Sequence, residues 1–140
     1  MVKAVNKTFS FNTKGSGDLV DITEKMHTAL RETDLKKGTL NVFVVGSTAA
    51  ITTFEYEPGL IKDIRDLFER IAPGDVSYNH DETWHDANGF SHVRASLQGP
   101  SLTVPFEKGK LLLGTWQQVV LAEFDNRPRK RQVIVTMMGE

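Results

Sequence analysis

Three of the chain's four histidines lie within residues 78–92, and three carboxylates lie there with them: His80, His85, His92, Asp81, Glu82 and Asp86. Imidazole and carboxylate groups bind zinc, manganese or iron without cysteine, and imidazole also exchanges protons near neutral pH. The segment matches no specific metal motif such as His-Glu-x-x-His, and a solvent-exposed polar loop would have the same composition. The pattern therefore indicates a metal site or acid–base chemistry, provided that these side chains face inward together.

The composition restricts the class of protein. The chain has 140 residues, a formal net charge of -1 and 39% hydrophobic residues, which is typical of one globular domain and lacks the strong positive charge of a dedicated nucleic-acid binder. It has no cysteine, so disulfides and thiolate chemistry are excluded. Residues 1–7 lack the apolar core of a signal peptide, and no apolar run is long enough to cross a bilayer. We expect a single-domain cytoplasmic protein, residues 1–140, that binds neither nucleic acid nor membranes.

The first half of the chain predicts two helices among strands. Asp21 is a suitable N-cap and Glu24 follows it at capping-box spacing, which predicts a helix start. Pro58 is suited to the first turn of a second, amphipathic helix. The predicted elements are a strand at 8–13, a helix from Asp21 to 36–38, strands at 40–45 and 49–56, and a helix from Pro58 to Ile71.

The second half predicts strands only. Alternation over 90–97 places His92 on a polar strand face beside Arg94. Gln117 falls on the same strand face as Val119, so its amide needs a polar partner. The predicted elements are a turn at Asn88-Gly89, strands at 90–97 and 102–106, a long strand at 111–124 bent at Gly114, and a strand at 131–138. The fold class predicted is α+β, with an antiparallel β-sandwich or barrel-like body and two helices packed outside.

Several short motifs resemble one family. They are Gly46-Ser47-Thr48-Ala49-Ala50, Glu55, Glu57-Pro58, Tyr78-x-His80-Asp81, Asn88-Gly89-x-Ser91-His92, Gly99-x-Ser101, Pro105, Gly109 and Leu113-Gly114-Thr115-Trp116-Gln117. From about residue 40 almost to the C-terminus, the chain resembles the YjbQ-type family, often labelled secondary thiamine-phosphate synthase. The resemblance implies a compact β-sandwich-like domain with outer helices, assembled as a homotrimer. It also implies condensation of hydroxymethylpyrimidine diphosphate with thiazole phosphate, as a weak or side activity.

The resemblance also implies site residues. The catalytic candidates are His80, Asp81, His92 and Glu55. The candidates for ligand binding are Ser47, Thr48, Asp86, Asn88, Ser91, Trp116, Gln117 and Arg131, with Glu123, Arg127 and Arg129 nearby in sequence, and Arg94 joins them because of its predicted strand position beside His92. Many members have a histidine where this chain has Gly46, and His85 is our candidate substitute. The expected divalent metal (Zn, Mg or Mn) would be bound by His80, His92, His85 and Asp86.

The implied reaction expels pyrophosphate, so its site must neutralise a diphosphate and stabilise a developing cation. In this interpretation His80 and His92 bind metal or donate to a phosphate oxygen, and Arg94 or Arg131 pairs with phosphate. The chain lacks an Asp-rich diphosphate motif and a Gly-rich phosphate loop. Two alternatives therefore remain open: a non-catalytic trimeric module that binds a metal or a small phosphorylated or carboxylated metabolite, and a structural trimer. The basic run 127–131 is too short for an RNA site and favours a solvated turn or an intersubunit ion pair.

Overall fold

The computed structural model describes residues 1–140. Its elements are β1 (Lys3–Asn12), β2 (Asp18–Asp21), α1 (Thr23–Arg31), β3 (Lys37–Val45), β4 (Ala49–Phe54), α2 (Pro58–Ile71), α3 (Asn79–Trp84), α4 (Gly89–Gln98), β5 (Ser101–Glu107), β6 (Lys110–Leu111), β7 (Gln118–Glu123) and β8 (Lys130–Gly139). All strand pairs are antiparallel. A curled five-stranded sheet has the order β1-β8-β3-β5-β6, and a second sheet has the order β2-β7-β4. The predicted α+β class is confirmed.

The main core lies between the two sheets. It contains 18 buried hydrophobic residues, supplied by alternate positions of β3 and β8 and by α1, β4, β5, β6 and β7. Each fully buried aliphatic side chain contributes about 1.5–3 kcal/mol. β7 is covered on both faces, because Val119 and Leu121 join this core while Val120 and Ala122 join a second one. Coverage on both faces explains the unbroken apolar run in this strand, which does not alternate with polar residues.

The second core lies on the outer face of the three-stranded sheet, under α2 and α4. Phe68 of α2 packs on Phe124 with ring centroids 4.7 Å apart. α2 begins as the sequence predicts, with Glu57 as the N-cap whose side chain accepts from the backbone N–H of Gly59 at 3.0 Å. The layers are therefore the five-stranded sheet, the three-stranded sheet, and a helical layer that carries the histidines.

The prediction of only two helices is wrong, because α3 and α4 occupy segments that we expected to be a loop and a strand. In α4, Ser91 and Ala95 are buried one helical turn apart. The alternation of residue types over 90–97 suggested a strand and concealed this helical spacing. Successive helical residues are rotated by about 100°, so His92 and Arg94 point to nearly opposite sides of α4. Asn88 is the N-cap of this helix and not a hairpin turn residue.

Two further boundaries differ from expectation. The predicted long strand 111–124 is two strands, β6 and β7, separated by residues 112–117, so Gln117 lies in a turn and not on a strand face. α1 begins at Thr23 and ends at Arg31. The carboxylate of Asp21 accepts from the Thr23 N–H at 3.0 Å, whereas Glu24 pairs with Arg31 at 3.0 Å and closes no capping box. None of the four helices has the length and hydropathy needed to cross a membrane.

Candidate functional site

The helical layer brings together two of the predicted histidines. His80 on α3 and His92 on α4 have ring centroids 4.3 Å apart, with ring planes inclined at 51°. Asp86, in the loop between the helices, places Oδ1 3.8 Å from His80 Nε2. Both imidazoles are half-buried. This histidine pair with its neighbouring carboxylate is the structural centre of the predicted site.

Asp81 connects α3 and α4 through hydrogen bonds to the backbone. Its Oδ2 accepts from the Tyr78 N–H at 3.1 Å, and its Oδ1 accepts from the Gly89 N–H at 2.9 Å. The Tyr78 hydroxyl in turn donates to the Pro73 carbonyl at 2.7 Å. Both carboxylate oxygens of Asp81 therefore serve the backbone at the starts of α3 and α4. Asp81 therefore links the start of α3, which carries His80, to the start of α4, which carries His92.

Gly89 is required at the junction of these helices. A Cβ added there would lie 2.4 Å from the Cβ of Tyr78 and 3.0 Å from Asp81 Oδ1, so α3 and α4 would have to move apart. We expect Gly89→Ala to lower the free energy of unfolding by about 1–3 kcal/mol, the usual cost of overpacking. Denaturant unfolding measures this loss. Gly114→Ala is the control, because a Cβ there would meet only Gln117 atoms at 3.6 Å; equal effects in the two variants would contradict the packing argument.

A buried polar network lies close to the pair. Arg131 donates to both carboxylate oxygens of Glu123, with Nε 2.8 Å from Oε1. Glu123 is 0% exposed and Arg131 2% exposed. Thr13 donates to Glu123 at 2.6 Å, and Arg131 Nη2 donates to the Thr48 hydroxyl at 2.7 Å. The network continues to the buried Asp125, which accepts from Thr48 at 3.2 Å. A buried ion pair is stable only when the other polar atoms of both side chains are also hydrogen-bonded. Here Thr13 and Thr48 provide such hydrogen bonds to Glu123 and Arg131.

Asn88 lies between this network and the histidines. In one orientation of its amide, Nδ2 donates to Asp125 Oδ1 at 3.4 Å. In the other, Nδ2 donates to Asp86 Oδ1 at 2.9 Å and to His80 Nε2 at 3.2 Å. Because the orientation of an Asn amide is assigned from its hydrogen bonds, we adopt the second orientation, in which the amide makes the better hydrogen bonds with its neighbours. Asn88 therefore orients both His80 and Asp86.

Two pKa shifts follow from this arrangement. Burial lowers the pKa of His92, and the charge of His80 lowers it further, against the opposing effects of Asp125 and Asp86. Burial alone would raise the pKa of Asp125, but hydrogen bonds from the Asn126 N–H, Arg129 and Thr48 oppose this effect and the pKa is lowered. His92 is therefore neutral at pH 7 and Asp125 is ionised, which leaves an imidazole lone pair available beside a fixed negative charge.

The His92 shift makes stability depend on pH. Above its ordinary pKa of about 6.5 the imidazole is neutral in both states and adds no pH dependence. As the pH falls below that value, the unfolded chain takes up the proton first, so stability is lost down through the lower folded-state pKa. We expect His92→Asn to lose less stability than wild type between about pH 8 and pH 5.5. Denaturant unfolding across this range measures it. At pH 8 the difference in free energy of unfolding between His92→Asn and wild type reports packing alone. If that difference stays constant as the pH is lowered, the prediction is contradicted.

A small surface depression adjoins His92. It has a volume of about 210 Å³ and is lined by Gly46, Ser47, Ala49, His92, Ala95, Ser96 and Pro100. Gly46 has φ +141°, and a Cβ there would lie 2.7 Å from Arg131 Nη1. The missing side chain therefore lets one edge of the guanidinium group approach this surface. Ser91 Oγ, fully buried nearby in α4, has no hydrogen-bond partner.

Three predicted residues lie elsewhere, at the other end of β4. Gln117 Nε2 donates to Thr53 at 3.2 Å, and Glu55 and Trp116 are exposed, the indole by 71%. Thr48 and Glu55 are seven positions apart, which is about 23 Å of extended strand at about 3.3 Å per residue. Within one chain, Glu55, Trp116 and Gln117 therefore form a second cluster, the β4-end cluster, that a small molecule at the histidines does not reach.

Two other predicted residues also lie away from the pair. Arg94 points into the protein from the opposite side of α4, where Nε donates to the Ala72 carbonyl at 2.9 Å and Nη2 donates to Glu69 at 2.8 Å. Its guanidinium also lies 4.8 Å from the Phe90 ring centroid. His85 is exposed at the C-cap of α3, with φ +58°. Neither the phosphate contact proposed for Arg94 nor the substitution proposed for His85 has support in this geometry.

The predicted metal site has donor groups of a suitable chemical type, but too few of them are arranged as ligands. Two imidazoles and a carboxylate are suitable donors for a divalent ion. No group of three or more His, Asp or Glu side chains is arranged to hold a metal ion. Any metal here would need further ligands from outside this constellation.

Asp125 is the residue that sequence reasoning missed. The sequence Asp125-Asn126-Arg127-Pro128 is typical of an exposed charged turn, yet the Asp125 side chain is only 1% exposed and pairs with Arg129. The available signal was its position directly after the apolar run of β7, where the chain is still inside the protein. A carboxylate at such a position needs buried partners.

Fold and site together define a small two-sheet α+β protein whose outer helices present a histidine pair over a buried arginine–glutamate network. The chain belongs to the YjbQ family, because the family model described as "UPF0047 protein YjbQ-like" matches residues 7–140. A UPF0047 protein of Methanothermobacter thermautotrophicus is 42% identical over 123 residues, 88% of this chain and 84% of the relative. YugU of Bacillus subtilis is 33% identical over 135 residues, 95% of this chain and 98% of the relative.

Solved structures agree with this membership. A YbjQ-like protein of unknown function from Sulfolobus solfataricus superposes with a TM-score of 0.93 at 30% identity, covering 100% of both chains. An uncharacterised YjbQ/UPF0047 protein from Clostridium acetobutylicum gives a TM-score of 0.84 at 35% identity, covering 94% of this chain and 98% of that one. The similarity extends over the whole fold.

Proposed function

We propose that this protein is an enzyme of small phosphorylated metabolites that works at the His80–His92 pair. The reaction that the family resemblance implies is condensation of hydroxymethylpyrimidine diphosphate with thiazole phosphate. The observation that carries the proposal is the contact between two imidazoles, 4.3 Å apart, beside a depression that approaches Arg131 through Gly46. Half-buried imidazoles and a nearby guanidinium edge suit the recognition of phosphate oxygens.

The reaction defines what these residues must do. The thiazole nitrogen attacks the methylene carbon, a C–N bond forms, the C–O bond breaks, and pyrophosphate leaves with the electron pair. No proton is removed from the nucleophile, so His80 and His92 serve as hydrogen-bond donors to the departing diphosphate. Arg131 Nη1, the guanidinium edge that faces Gly46, would donate a further hydrogen bond on the same side. Stabilisation of developing charge is commonly the largest catalytic contribution.

A divalent ion fits this proposal as an additional component. The lowered pKa of His92 keeps its imidazole neutral, which metal binding requires. His80 and His92 would hold the ion, with the remaining ligands from substrate oxygens, water or a neighbouring subunit. When bound, such an ion neutralises diphosphate charge.

The proposal includes assembly as a homotrimer, the state that the family resemblance implies, and the exposed β4-end cluster supports a contact between subunits. Trp116, Glu55 and Gln117 belong to the motifs that carry the family resemblance, yet they are exposed and far from His80 and His92 in one chain. In a closed ring each subunit presents one surface to the next copy and a different surface to the previous one. We place the β4-end cluster of one subunit against the histidine pair of its neighbour, so that three identical sites form between subunits.

Subunit mixing tests this arrangement. We expect His92→Ala and Gln117→Ala homotrimers both to be inactive, because each lacks one half of every site. Unfolding and refolding them together in equal amounts would restore about a quarter of the sites, since each interface draws its two halves independently. Full activity of Gln117→Ala, or no recovery on mixing, would contradict shared sites while leaving the histidine function open.

The direct assay of the proposal is conversion of the two substrates to thiamine phosphate and pyrophosphate by purified protein. It is run with and without added Mg²⁺, Mn²⁺ or Zn²⁺, and metal content is measured by elemental analysis of untagged protein. Product formation that is lost in His80→Ala and His92→Ala would support the enzyme. Failure of wild-type protein to form product under every metal condition would rule out this reaction.

A non-catalytic binding module is the second candidate. It is favoured by the size of the depression, about 210 Å³, which is below the 300–1,000 Å³ typical of sites that enclose a substrate. In that case His92→Ala would weaken binding of a phosphorylated or carboxylated ligand, and no variant would change a turnover rate.

A further inference from the structure

The largest cavity of the protein lies away from the His80–His92 pair. It has a volume of about 530 Å³ and lies between α1, the segment before β3 and the turn between β5 and β6. It shares no residue with the depression at His92. Its lining is His27, Leu30, Arg31, Thr33, Leu35, Lys36, Lys108, Gly109, Lys110 and Leu111.

The charge of this cavity has one sign. Five of its ten lining residues are basic or histidine, and none is acidic. The neighbouring carboxylates are taken by other partners: Glu32 pairs with Lys7, Asp34 with Lys3, and Glu107 lies 4.0 Å from Lys37. Only Arg31 is partly neutralised, by Glu24. Lys36, Lys108 and Lys110 make no ion pair, although the charge of Asp34 acts on Lys36 from nearby. The cavity therefore carries an excess of positive charge in a chain whose net charge is -1.

The backbone around these lysines is held in place. The Lys36 N–H donates to the Glu140 carbonyl at 2.7 Å, and the Lys36 carbonyl accepts from the Gly109 N–H at 3.0 Å. Lys36 Nζ lies 3.8 Å from the position of a Cβ on Gly109. Lys108 has φ +54°, a left-handed conformation that is uncommon for a residue with a side chain. These constraints keep two cationic segments side by side, although mutual repulsion would separate them.

The floor of the cavity is apolar. Leu30, Leu35 and Leu111 are buried beneath it, so a ligand can place an uncharged part there while its charged groups meet the lysines at the rim. The volume falls within the range of small-molecule sites. The lining contains no aromatic residue on which the bases of a single-stranded nucleic acid could stack. A small ligand is therefore favoured over a nucleic acid.

We propose that this cavity, the α1–β6 cavity, binds a small organic phosphate with two or more phosphate groups and about the size of a nucleotide. Lys36, Lys108 and Lys110 contact the phosphates, with Arg31 and His27 along α1, and the leucine floor contacts the organic part. This site is separate from the histidine pair and does not depend on the function proposed for it.

Calorimetric titration of the full-length protein tests the site with ADP, inorganic pyrophosphate and adenosine as probes. We expect ADP to bind, pyrophosphate to bind more weakly because it leaves the leucine floor empty, and adenosine not to bind. Raising the salt concentration should weaken ADP binding, since the contacts are charge pairs near the surface. Lys108→Glu/Lys110→Glu should raise the Kd for ADP by roughly 100-fold, because two charge-assisted contacts become repulsive.

The matched control is Lys14→Glu/Lys130→Glu, which makes the same change in net charge at two exposed lysines that form no ion pair and line no cavity. It should keep wild-type affinity, as should His92→Asn. If folding of the glutamate variant fails by circular dichroism, Lys108→Gln/Lys110→Gln replaces it, with an expected loss of roughly tenfold. The proposal is overturned if wild type does not bind ADP, if both double variants lose affinity equally, or if His92→Asn abolishes binding. A single-stranded oligonucleotide that binds more tightly than ADP through Lys108 and Lys110 would also overturn it, in favour of a nucleic-acid site.

Discussion

Replacing His92 with asparagine is expected to reduce turnover in the proposed reaction by about 100-fold to 10,000-fold, the usual contribution of one positioned proton-exchanging or hydrogen-bonding group. His92 is the member of the pair whose pKa is lowered by burial and by His80, and its ring also lines the depression at Gly46. The loss should fall on kcat more than on KM, because the interaction with the departing diphosphate strengthens only as its charge develops. Steady-state kinetics of pyrophosphate release measures both constants.

His85→Asn is the matched comparison for this prediction. His85 lies in the same segment but is exposed at the end of α3, so we expect it to keep near wild-type turnover. Circular dichroism of each variant separates loss of chemistry from loss of fold. An equal loss in both variants would mean that His85 reaches the substrate after all. A loss confined to KM in His92→Asn would point to the binding module.

Replacing Arg131 with methionine is expected to lower the free energy of unfolding by about 3–5 kcal/mol, the usual cost of leaving one buried charge without its partner. Glu123 is 0% exposed and would keep a negative charge, or take up a proton, with only Thr13 and the Asp125 N–H as partners. Denaturant unfolding at fixed protein concentration measures the loss, because assembly would otherwise change the apparent stability.

The double variant Glu123→Leu/Arg131→Met gives the sharper result. It removes both charges and replaces them with apolar side chains of similar size, so it should lose less stability than Arg131→Met alone. Arg31→Met is the control for the substitution itself, because Arg31 is 59% exposed in its pair with Glu24 and should cost less than about 1 kcal/mol. A double variant that is less stable than Arg131→Met would show that the network contributes more than charge compensation.

The core of the fold was predictable from local patterns. Strands at 40–45, 49–56 and 131–138 and the helix from Pro58 to Ile71 lie close to their predicted positions, since each combines a clear apolar period with a turn or proline at its boundary. α4 was not predictable in the same way. Its apolar residues Val93 and Leu97 are four positions apart, as on one face of a helix, but they are 45% and 63% exposed. The apolar pattern of this segment therefore does not identify the buried face of the helix.

The site was predicted in part, for a related reason. Motif resemblance identified His80, His92, Asp86 and Asn88, and the structure brings these four together through α3 and α4. Strand alternation, and not the resemblance, suggested Arg94, whose orientation depends on helical geometry. A strand would have placed it beside His92, whereas the helix turns it toward Glu69.

The amino-acid sequence by itself determined the fold class, the two-layer core and the residue types of the histidine site, because these follow from apolar periodicity, turn residues and side-chain chemistry. Tertiary structure alone decided which of those residues meet. It placed His80 against His92, buried Asp125 and the Arg131–Glu123 pair, separated Gln117 from the histidines by the length of β4, and gathered the lysines of the α1–β6 cavity. The physical reason is that hydrogen bonding and charge pairing act between groups distant in sequence, and only the packed sheets and helices fix those distances.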